Sequence, residues 1–371
     1  MKIIHICAFY HPINEGGAEV FAKDLCERLA VDNDVSVITG KFKGDLPDKE
    51  VINGVKVNRV PMIMIKNVKL FSFLFTSVIE GWIQRKDVNC YHGTMAFTAG
   101  TSAVILKKLT GKKAIVTIQG GDMCDYSENT GKFGKILRPI VSWTLRNADV
   151  VHAVSNDLER KAKALGAKNV VVIPNAVDLK LFEKTKDIRG EFFDDNPSKI
   201  ILSVSRLTHK NGIDTLIRAF SVLKPKHPDW ELVIIGDGEE KERLMKLASN
   251  EVIFHPPVKH EEISKWYSSA DVFCRPSRDE GFGIVFIEAM ACGITPVGTM
   301  VGGIPDIIKH YENGILVKPD NPEELAEYLE KVLTDDKLRV KLSENALETA
   351  KKFSWEGILP RIREMYKSIP L

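Results

Sequence analysis

Two glutamates lie eight residues apart in the most distinctive segment of this sequence. Glu280 opens a Glu-Gly-Phe-Gly loop, and Glu288 follows within the apolar run Ile284–Ala291. The loop glycines let the backbone approach a ligand closely, and the free N–H groups of a helix start suit a phosphate or sugar oxygen. Helix capping by Glu280 and a solvated Glu288 are the structural alternatives. Because a carboxylate within an apolar run is costly without a partner, we expect Glu288 to be functional.

Two cations, Arg206 and Lys210, lie where a strand in the second half of the chain runs into a helix. A guanidinium can bind two phosphate oxygens at once, and an ammonium adds a point charge. A departing nucleoside diphosphate carries roughly two negative charges, which this pair can offset without a metal ion. The alternative is an ordinary basic pair on the surface, where most Arg and Lys side chains lie.

Two glycine-rich turns also follow predicted strands. Gly16 and Gly17 come after the first strand, where backbone N–H groups can bind an anion, although a Gly-Gly pair is equally common in plain turns. Gly236 and Gly238 follow a strand in the second half, but Lys241 occupies the third position of the dinucleotide fingerprint. The sequence therefore does not favour a nicotinamide cofactor.

Short β-branched runs alternate with longer helical patterns along the whole chain. Continuous apolar strands between amphipathic helices predict parallel sheets with helices on both faces, and hence an α/β fold of two doubly wound, Rossmann-like domains. We place the N-terminal domain at residues 1–176 and the C-terminal domain at 177–352, with a final helix over 353–371 packing back on the first domain. Two facing domains of this kind create an interdomain cleft at the carboxyl ends of their strands, where ligands of such sheets bind.

These motifs, in this order across nearly the whole chain, resemble the retaining nucleotide-sugar glycosyltransferases of family four, which have the GT-B fold. The resemblance covers the Gly-Gly loop, Ile-Pro-Asn-Ala-Val-Asp before the second domain, Ser-Arg-Leu-x-x-x-Lys, Gly-Asp-Gly, the paired glutamates, and Phe-Ser-Trp-Glu opening the last helix. The paired glutamates are the specific signal among them. The resemblance implies a hexosyltransferase with no cofactor and no metal, whose co-substrate is a nucleoside-diphosphate sugar.

The same resemblance implies a role for each matching residue. Arg206 and Lys210 would bind the donor diphosphate, and Gly16 or Gly17 would cap it from the first domain. Glu280 would contact the hydroxyls of the donor sugar, and Glu288 those of the ribose. The catalytic set is then Glu280, Arg206 and Lys210. The donor-binding set is Gly16, Gly17, Arg206, Lys210, Gly236, Val258, Glu280, Gly281, Phe282, Gly283 and Glu288.

The sequence departs from the family pattern at two places. Many relatives have a histidine where this chain has Gln119, and an amide can orient a sugar hydroxyl but cannot take its proton. Asp122 matches the acidic position of the family and is a candidate for holding the acceptor or donor. Relatives often have glycine before Val258, where this chain has a proline without an N–H donor, so the nucleobase does not carry over. His92, at the end of a strand, is a third acceptor candidate, with a structural histidine as the alternative.

A retaining mechanism without a side-chain base fits these residues. The donor phosphate oxygen accepts the proton of an acceptor hydroxyl that arrives on the same face, and the acceptor is a glycan or a lipid-linked molecule. A double displacement would need a nucleophilic carboxylate on the opposite face, for which Asp122 is conceivable. Two other functions use the same scaffold: a nucleotide-sugar 2-epimerase, and a non-catalytic protein that binds nucleotide sugars.

Composition restricts the location and the partners. The 371 residues carry 52 Lys and Arg against 50 Asp and Glu, and a net charge of only +2 argues against a nucleic-acid partner. Six scattered cysteines without a C-x-x-C pair, and the lack of a signal-peptide pattern, favour a cytoplasmic location and no metal site.

The apolar stretch Leu70–Ile83, within residues 66–83, is too short and too interrupted to span a bilayer. Flanked by lysines, it is a candidate for peripheral contact with the cytoplasmic membrane surface or with a lipid-linked acceptor. A core helix of the first domain is the alternative, which apolar helical stretches usually favour.

Overall fold

The computed structural model describes residues 1–12, 16–65, 68–120, 131–193, 197–260 and 262–368, with the backbone alone for 131–136 and 192. The chain divides into two compact units. The first unit comprises Met1–Asn175 with Ile358–Leu371, and the second unit comprises Ala176–Gly357. The boundary lies one residue before the one predicted from the sequence.

The first unit is built on an eight-stranded sheet in the order β3-β4-β2-β1-β5-β6-β7-β8. Its strands are β1 (Lys2–Ile6), β2 (Asp34–Lys41), β3 (Lys49–Ile52), β4 (Val55–Pro61), β5 (Cys90–Thr94), β6 (Lys113–Ile118), β7 (Val150–Ala153) and β8 (Val170–Val172). All neighbours pair in parallel except β3 and β4. That hairpin, which the apolar pattern did not predict, turns at Asn53 and Gly54, both with positive φ as such two-residue turns require.

Helices cover both faces of this sheet because its parallel strands are connected by crossovers. They are α1 (Gly17–Ala30), α2 (Lys69–Ile83), α3 (Thr101–Thr110), α4 (Gly131–Asn147) and α5 (Asn156–Ala164). An irregular segment over Ala96–Gly100, with non-helical backbone angles at Phe97 and Thr98, precedes α3. Apart from the half-buried Lys113 at the start of β6, strands β5, β6 and β7 are buried along their whole length, as expected for a parallel sheet with two covered faces.

The second unit has a six-stranded sheet in the order β11-β10-β9-β12-β13-β14, and every pair is parallel. Its strands are β9 (Lys199–Val204), β10 (Trp230–Ile235), β11 (Ile253–His255), β12 (Val272–Arg275), β13 (Thr295–Thr299) and β14 (Ile315–Val317). Its helices are α6 (Arg189–Phe192), α7 (Ile213–Leu223), α8 (Lys241–Ala248), α9 (Ile263–Ser269), α10 (Ile284–Ala291), α11 (Ile304–Ile307), α12 (Pro322–Thr334) and α13 (Asp336–Lys351). The strand order reverses direction at β9 and β12, and the predicted diphosphate and sugar loops follow these two strands.

The last helix, α14 (Trp355–Lys367), begins in the second unit and joins the first unit from Ile358 onward. Ser354 accepts a hydrogen bond from Gly357 N–H and thereby caps its first turn. Its later residues contact the sheet of the first unit: Arg361 donates to the carbonyl of Val172, and the Tyr366 hydroxyl lies 2.5 Å from Nδ1 of His92. Two doubly wound α/β units therefore make up the described chain, as the sequence predicts.

Candidate functional site

Backbone contacts join the two loops that carry the predicted catalytic residues of the second unit. The loop after β9 carries Arg206 and Lys210, and the loop after β12 carries Glu280. The N–H of Arg278 donates to the carbonyl of Lys210 at 2.7 Å. Gly212 has a φ of +65°, and a Cβ there would lie 1.9 Å from the carbonyl oxygen of Pro276. Only glycine permits this approach, so the residue type at this position determines the spacing of the two loops.

The Glu280 loop is held from its other side by the loop after β13. Gly303 N–H donates to the carbonyl of Glu280 at 3.0 Å. A Cβ at Gly302, where φ is +54°, would lie 1.7 Å from the same carbonyl oxygen. The backbone of Glu280 is therefore fixed by contacts on both sides, which is what a preorganised site needs.

The Gly-Asp-Gly turn after β10 has a local packing reason for its glycines. A Cβ at Gly236 would lie 1.9 Å from the carbonyl oxygen of Ser205, and one at Gly238 would lie 2.3 Å from that of Leu207. Leu207 N–H also donates to the carbonyl of Asp237 at 2.8 Å. Gly236 thus supports the loop that carries Arg206, and its donor-binding role stays a prediction.

Arg206 and Lys210 are exposed, and neither side chain forms a salt bridge within the parts of the chain that the structure describes. Asn211 fixes the local backbone by donating to the carbonyl of Arg206 at 2.6 Å. Arg278, on the loop after β12, is different, because its guanidinium binds Asp214 at 2.8 and 3.0 Å. One cationic group on these loops is therefore neutralised, while two remain available to an anion.

The carboxylate of Glu280 pairs with the guanidinium of Arg275, the last residue of β12. Arg275 is buried and lies 5.5 Å above the ring centroid of Phe286 in α10. Sequence reasoning missed Arg275, although an arginine that ends an otherwise apolar buried strand is an unusual residue that signals a partner. The pair orients one side of the Glu280 carboxylate, whose other side remains partly exposed.

Glu288 is buried on α10, with 5% of its surface exposed. It accepts a hydrogen bond from the Tyr267 hydroxyl at 3.1 Å, and its other oxygen lies 3.4 Å from Nε2 of His260. Burial raises the pKa of Tyr267 well above its usual value, and the Glu288 charge adds to this effect, so the phenol remains a donor. The predicted carboxylate is therefore partnered by two side chains that the sequence reasoning did not identify.

The residues between the two glutamates form the start of α10. Gly283 is the N-terminal cap with φ +97°, and Phe282 is buried with its ring 5.9 Å from that of Phe353. Gly281 is buried beside them. Val258 is half-buried, in the segment between β11 and α9. Their donor-binding roles remain predictions.

The first unit contains the remaining candidates. Gly16 is the N-terminal cap of α1, and Gly17 is its first residue. Gln119 follows β6 and forms a reciprocal amide pair with Asn175, with N···O distances of 2.8 and 3.2 Å. Asp122 lies outside the described residues, and its role stays a prediction.

His92 is a core residue rather than a surface group. It is fully buried in β5, where its two ring nitrogens lie 2.5 Å from the Tyr366 hydroxyl and 2.6 Å from that of Thr117. Burial, with smaller contributions from His5 and His152, holds its pKa well below the usual value. Both nitrogens are occupied by protein groups, so the structure favours the structural alternative and does not support contact with an acceptor.

Comparison with known proteins agrees with this architecture. The chain matches the family description "Glycosyltransferase Family 4" over residues 15–181 and "Glycosyl transferases group 1" over residues 184–349. It is 31% identical to an uncharacterized glycosyltransferase of Methanocaldococcus jannaschii, covering 99% of this chain and 98% of the relative. Among solved structures, sucrose-phosphate synthase from Thermosynechococcus elongatus superimposes with a TM-score of 0.86 at 24% identity, covering 99% and 98% of the two chains.

HepE of Anabaena, in complex with UDP and glucose, superimposes with a TM-score of 0.80 at 22% identity, covering 99% of this chain and 100% of HepE. The fold and these matches define a glycosyltransferase with the GT-B fold. The chain belongs to glycosyltransferase family 4.

Proposed function

We propose that this protein moves a hexose-type sugar from a nucleoside-diphosphate sugar to a hydroxyl acceptor, with retention of configuration at the transferred carbon. The observation that carries the proposal is the pair of unneutralised cations, Arg206 and Lys210, on a loop bonded directly to the loop of Glu280. Cations that face a bound diphosphate stabilise the negative charge that develops as it departs. HepE, which shares the fold, was solved with UDP and glucose, and this supports the donor class.

Each carboxylate has a distinct part in the proposal. Glu288, aligned by Tyr267 and His260, accepts hydrogen bonds from the ribose hydroxyls of the donor. Glu280, aligned by Arg275, accepts hydrogen bonds from hydroxyls of the sugar and orients it as the bond to the diphosphate breaks. A carboxylate whose geometry is fixed before the substrate binds gives more to the transition state than a mobile one.

The proposed transfer needs no side-chain base to take the proton of the acceptor hydroxyl. The bond between the anomeric carbon and the diphosphate oxygen breaks, and its electron pair leaves with the diphosphate. The acceptor oxygen forms a bond to the same face of that carbon, and its proton passes to a departing phosphate oxygen. An amide at Gln119 is compatible with this route because it can orient a hydroxyl without accepting its proton. The acceptor is a glycan or a lipid-linked molecule, and the two cations replace a metal ion.

The test is incubation of the purified protein with UDP-, GDP- and ADP-sugars and candidate acceptors, with and without EDTA. We expect transfer with one donor, slow donor hydrolysis without acceptor, and rates unchanged by EDTA. Nuclear magnetic resonance of the product gives the anomeric configuration. An inverted product would overturn the retaining step, and loss of activity in EDTA would overturn the metal-free donor site. If no nucleotide sugar binds, the donor proposal fails as a whole.

A further inference from the structure

Helix α2 of the first unit exposes an apolar stripe to solvent. Phe75, Ile79, Trp82 and Ile83 lie at helical spacings of four, seven and eight from the first, which places them on one face, and all four are exposed. The exposed fractions of Phe75, Ile79 and Ile83 are 68%, 60% and 63%. The segment before the helix adds three exposed apolar side chains, those of Ile63, Met64 and Ile65.

The opposite face of α2 explains why the large side chains point outward. Its buried residues are Phe73, Ser77 and Gly81, of which two are small. The Ser77 hydroxyl lies 2.8 Å from that of Ser102 in α3, and a Cβ at Gly81 would lie 2.4 Å from Leu106. The helix is therefore packed closely against α3 through its small face, while Phe75, Ile79, Trp82 and Ile83 are left exposed.

The exposed large apolar side chains of the described residues are concentrated in one segment. Of the 20 large apolar side chains that are exposed in the described chain, eight lie between residues 63 and 83. Single exposed apolar residues need no explanation, whereas a contiguous group marks an interaction surface. Among the described residues, none of the helices combines the length and the apolarity that crossing a bilayer requires.

The charge of the chain is divided unequally between the two units. The residues of the first unit include 27 Lys and Arg against 18 Asp and Glu, a formal charge of +9. Those of the second unit include 25 against 32, a formal charge of −7. The small net charge of the whole chain therefore conceals a basic unit, and that unit carries the apolar stripe.

Basic side chains also lie next to the stripe itself. Lys69 begins α2, and Arg85 and Lys86 follow its end. The guanidinium carbon of Arg85 lies 4.4 Å from the ring centroid of Trp82. The acidic residues on this segment are Glu80, which accepts a hydrogen bond from Gln84 at 2.6 Å, and Asp87. Aromatic and aliphatic residues bordered by cations are the composition of helices that lie in a membrane interface.

We propose that this face of the first unit binds the surface of a membrane that contains anionic lipids, with Phe75, Ile79, Trp82 and Ile83 entering the headgroup region. A second copy of the chain, placed symmetrically on the same stripe, would bring two units of charge +9 together, so self-association through this face is disfavoured. A nucleic acid would use the charge but not the apolar side chains. The proposal does not depend on glycosyl transfer, because the stripe contains none of the residues assigned to donor binding or catalysis.

The test is co-sedimentation of the full chain with vesicles of phosphatidylglycerol and phosphatidylcholine in equal parts, and with phosphatidylcholine alone, without any nucleotide sugar. We expect binding to the anionic vesicles that weakens as salt is added. The double variant Phe75→Asp with Ile79→Asp should bind about tenfold more weakly or worse. Its matched control, Val31→Asp with Val51→Asp, adds the same charge to the same unit at side chains 78% and 69% exposed, and should bind almost as wild type.

A second pair of variants tests the charge and leaves the stripe intact. Lys69→Gln with Lys86→Gln should weaken binding by about fivefold for each cation removed. Lys184→Gln with Lys341→Gln removes two exposed cations from the second unit and should have little effect. Circular dichroism and the melting temperature establish that each variant is folded.

Three results would overturn the proposal. One is a wild-type protein that does not bind the anionic vesicles. Another is an equal loss of binding in the stripe variant and in its matched control, which would mean that the stripe is not the contact. The third is a wild-type dimer in light scattering that the stripe variant converts to a monomer, which would assign the face to a second copy. Each outcome is independent of whether the protein transfers sugar.

Discussion

The buried guanidinium of Arg275 and the carboxylate of Glu280 form an ion pair across the loop after β12. Arg275 ends a strand of apolar neighbours and cannot leave the core, so it fixes where its partner lies. Such a pair is worth little as a source of stability, because desolvation offsets much of the attraction, but it strongly restricts geometry. Its consequence for function is a Glu280 side chain that is positioned before any substrate binds.

The first prediction concerns Glu280 itself. Glu280→Gln retains the shape of the side chain but removes the charge that pairs with Arg275 and that we propose accepts hydrogen bonds from sugar hydroxyls. We expect kcat to fall by about 100-fold, with the donor KM changed by less than about threefold, because the loss falls on the transition state. Steady-state kinetics at saturating acceptor measures both constants. Asp279→Asn, the adjacent carboxylate, is the control and should retain most activity; an unchanged kcat in Glu280→Gln would refute the assigned role.

The second prediction concerns the two unneutralised cations. Removing Arg206 or Lys210 should weaken binding of the nucleoside diphosphate by about 10- to 100-fold, since hydrogen bonds to charged groups are worth roughly 1.5–3 kcal/mol. Titration calorimetry with the diphosphate product measures this directly. The salt dependence of binding should also decrease in Arg206→Ala and Lys210→Ala. Lys318→Ala, an exposed cation of the same unit, is the comparison, and an equal effect there would mean that only overall charge matters.

The third prediction concerns the contact between Tyr267 and Glu288. If Glu288 binds the ribose, wild type should prefer a nucleoside diphosphate over its 2′,3′-dideoxy analogue by about tenfold or more. Glu288→Ala should lose this preference, and Tyr267→Phe should reduce it without abolishing it, because the phenol only orients the carboxylate. A purely structural tyrosine would lower the melting temperature and leave the preference unchanged. Competition binding with the two diphosphates separates these outcomes.

The parallel sheets and the paired glutamates could be predicted because they depend on local patterns. Runs rich in β-branched residues, such as Ile3–Ile6, predict buried strands. Glu288 within an apolar run likewise indicates a buried carboxylate that needs a hydrogen-bonding partner. The partner itself could not be predicted, since Tyr267 lies 21 residues earlier on another helix. The expectation that His92 contacts an acceptor is not supported, because a histidine at the end of a strand has the same sequence pattern whether it faces a ligand or the core.

The uneven distribution of charge, and the exposed apolar face of α2, could be recognised only from the structure. The net charge of +2 is a sum over two units of opposite sign, and their boundary was needed to divide it. The apolar stretch of α2 favours a core helix when read as a sequence. In the structure only one face of the helix is buried, because its contact with α3 uses the small residues Ser77 and Gly81 and leaves Phe75 exposed. Local composition does not determine which face of an apolar helix packs against another element.

The fourth prediction concerns the glycine that contacts the Glu280 loop. Gly302→Ala places a methyl group on the carbonyl of Glu280 and should disturb that loop, lowering both kcat and the melting temperature. Gly293→Ala is a matched control, because Gly293 also has a positive φ, +73°, but a Cβ added there would meet no heavy atom within 4 Å. Gly293→Ala should cost about 1 kcal/mol of backbone strain with little effect on kcat. Equal kinetic effects in the two variants would contradict this account.

A directed chain of hydrogen bonds crosses the core of the first unit. His152 Nε2 must donate to the carbonyl of Ile173 at 2.7 Å, which leaves its Nδ1 to accept from Thr117 at 2.9 Å. Thr117 then accepts from His92 Nε2 at 2.6 Å, and His92 Nδ1 accepts from Tyr366 in α14. In this arrangement each histidine is neutral, with one ring nitrogen donating and the other accepting.

The fifth prediction concerns the buried histidines in and beside this series of hydrogen bonds. Burial lowers the pKa of His5 and of His152 from 6.5 to about 4, so the unfolded chain binds protons that the folded unit does not. Stability should therefore be unaffected by these groups above about pH 6.5 and should decrease as the pH falls from there toward 4. A lowering of this size corresponds to roughly 3 kcal/mol for each histidine. Hydrogen exchange of the β5 and β6 amides, corrected for its intrinsic pH dependence, measures the change in the first unit.

The Tyr366 hydroxyl is the last group in this series of hydrogen bonds, and a single substitution can remove it without changing the ring. Tyr366→Phe leaves Nδ1 of His92 without its buried donor and should destabilise the first unit by about 1–3 kcal/mol at pH 7. Tyr311→Phe, which removes a hydroxyl bonded to the exposed Lys331, should have little effect on stability. Chemical denaturation at pH 7 measures the change. A Tyr366→Phe variant as stable as wild type would show that this hydrogen bond does not tie the last helix to the core.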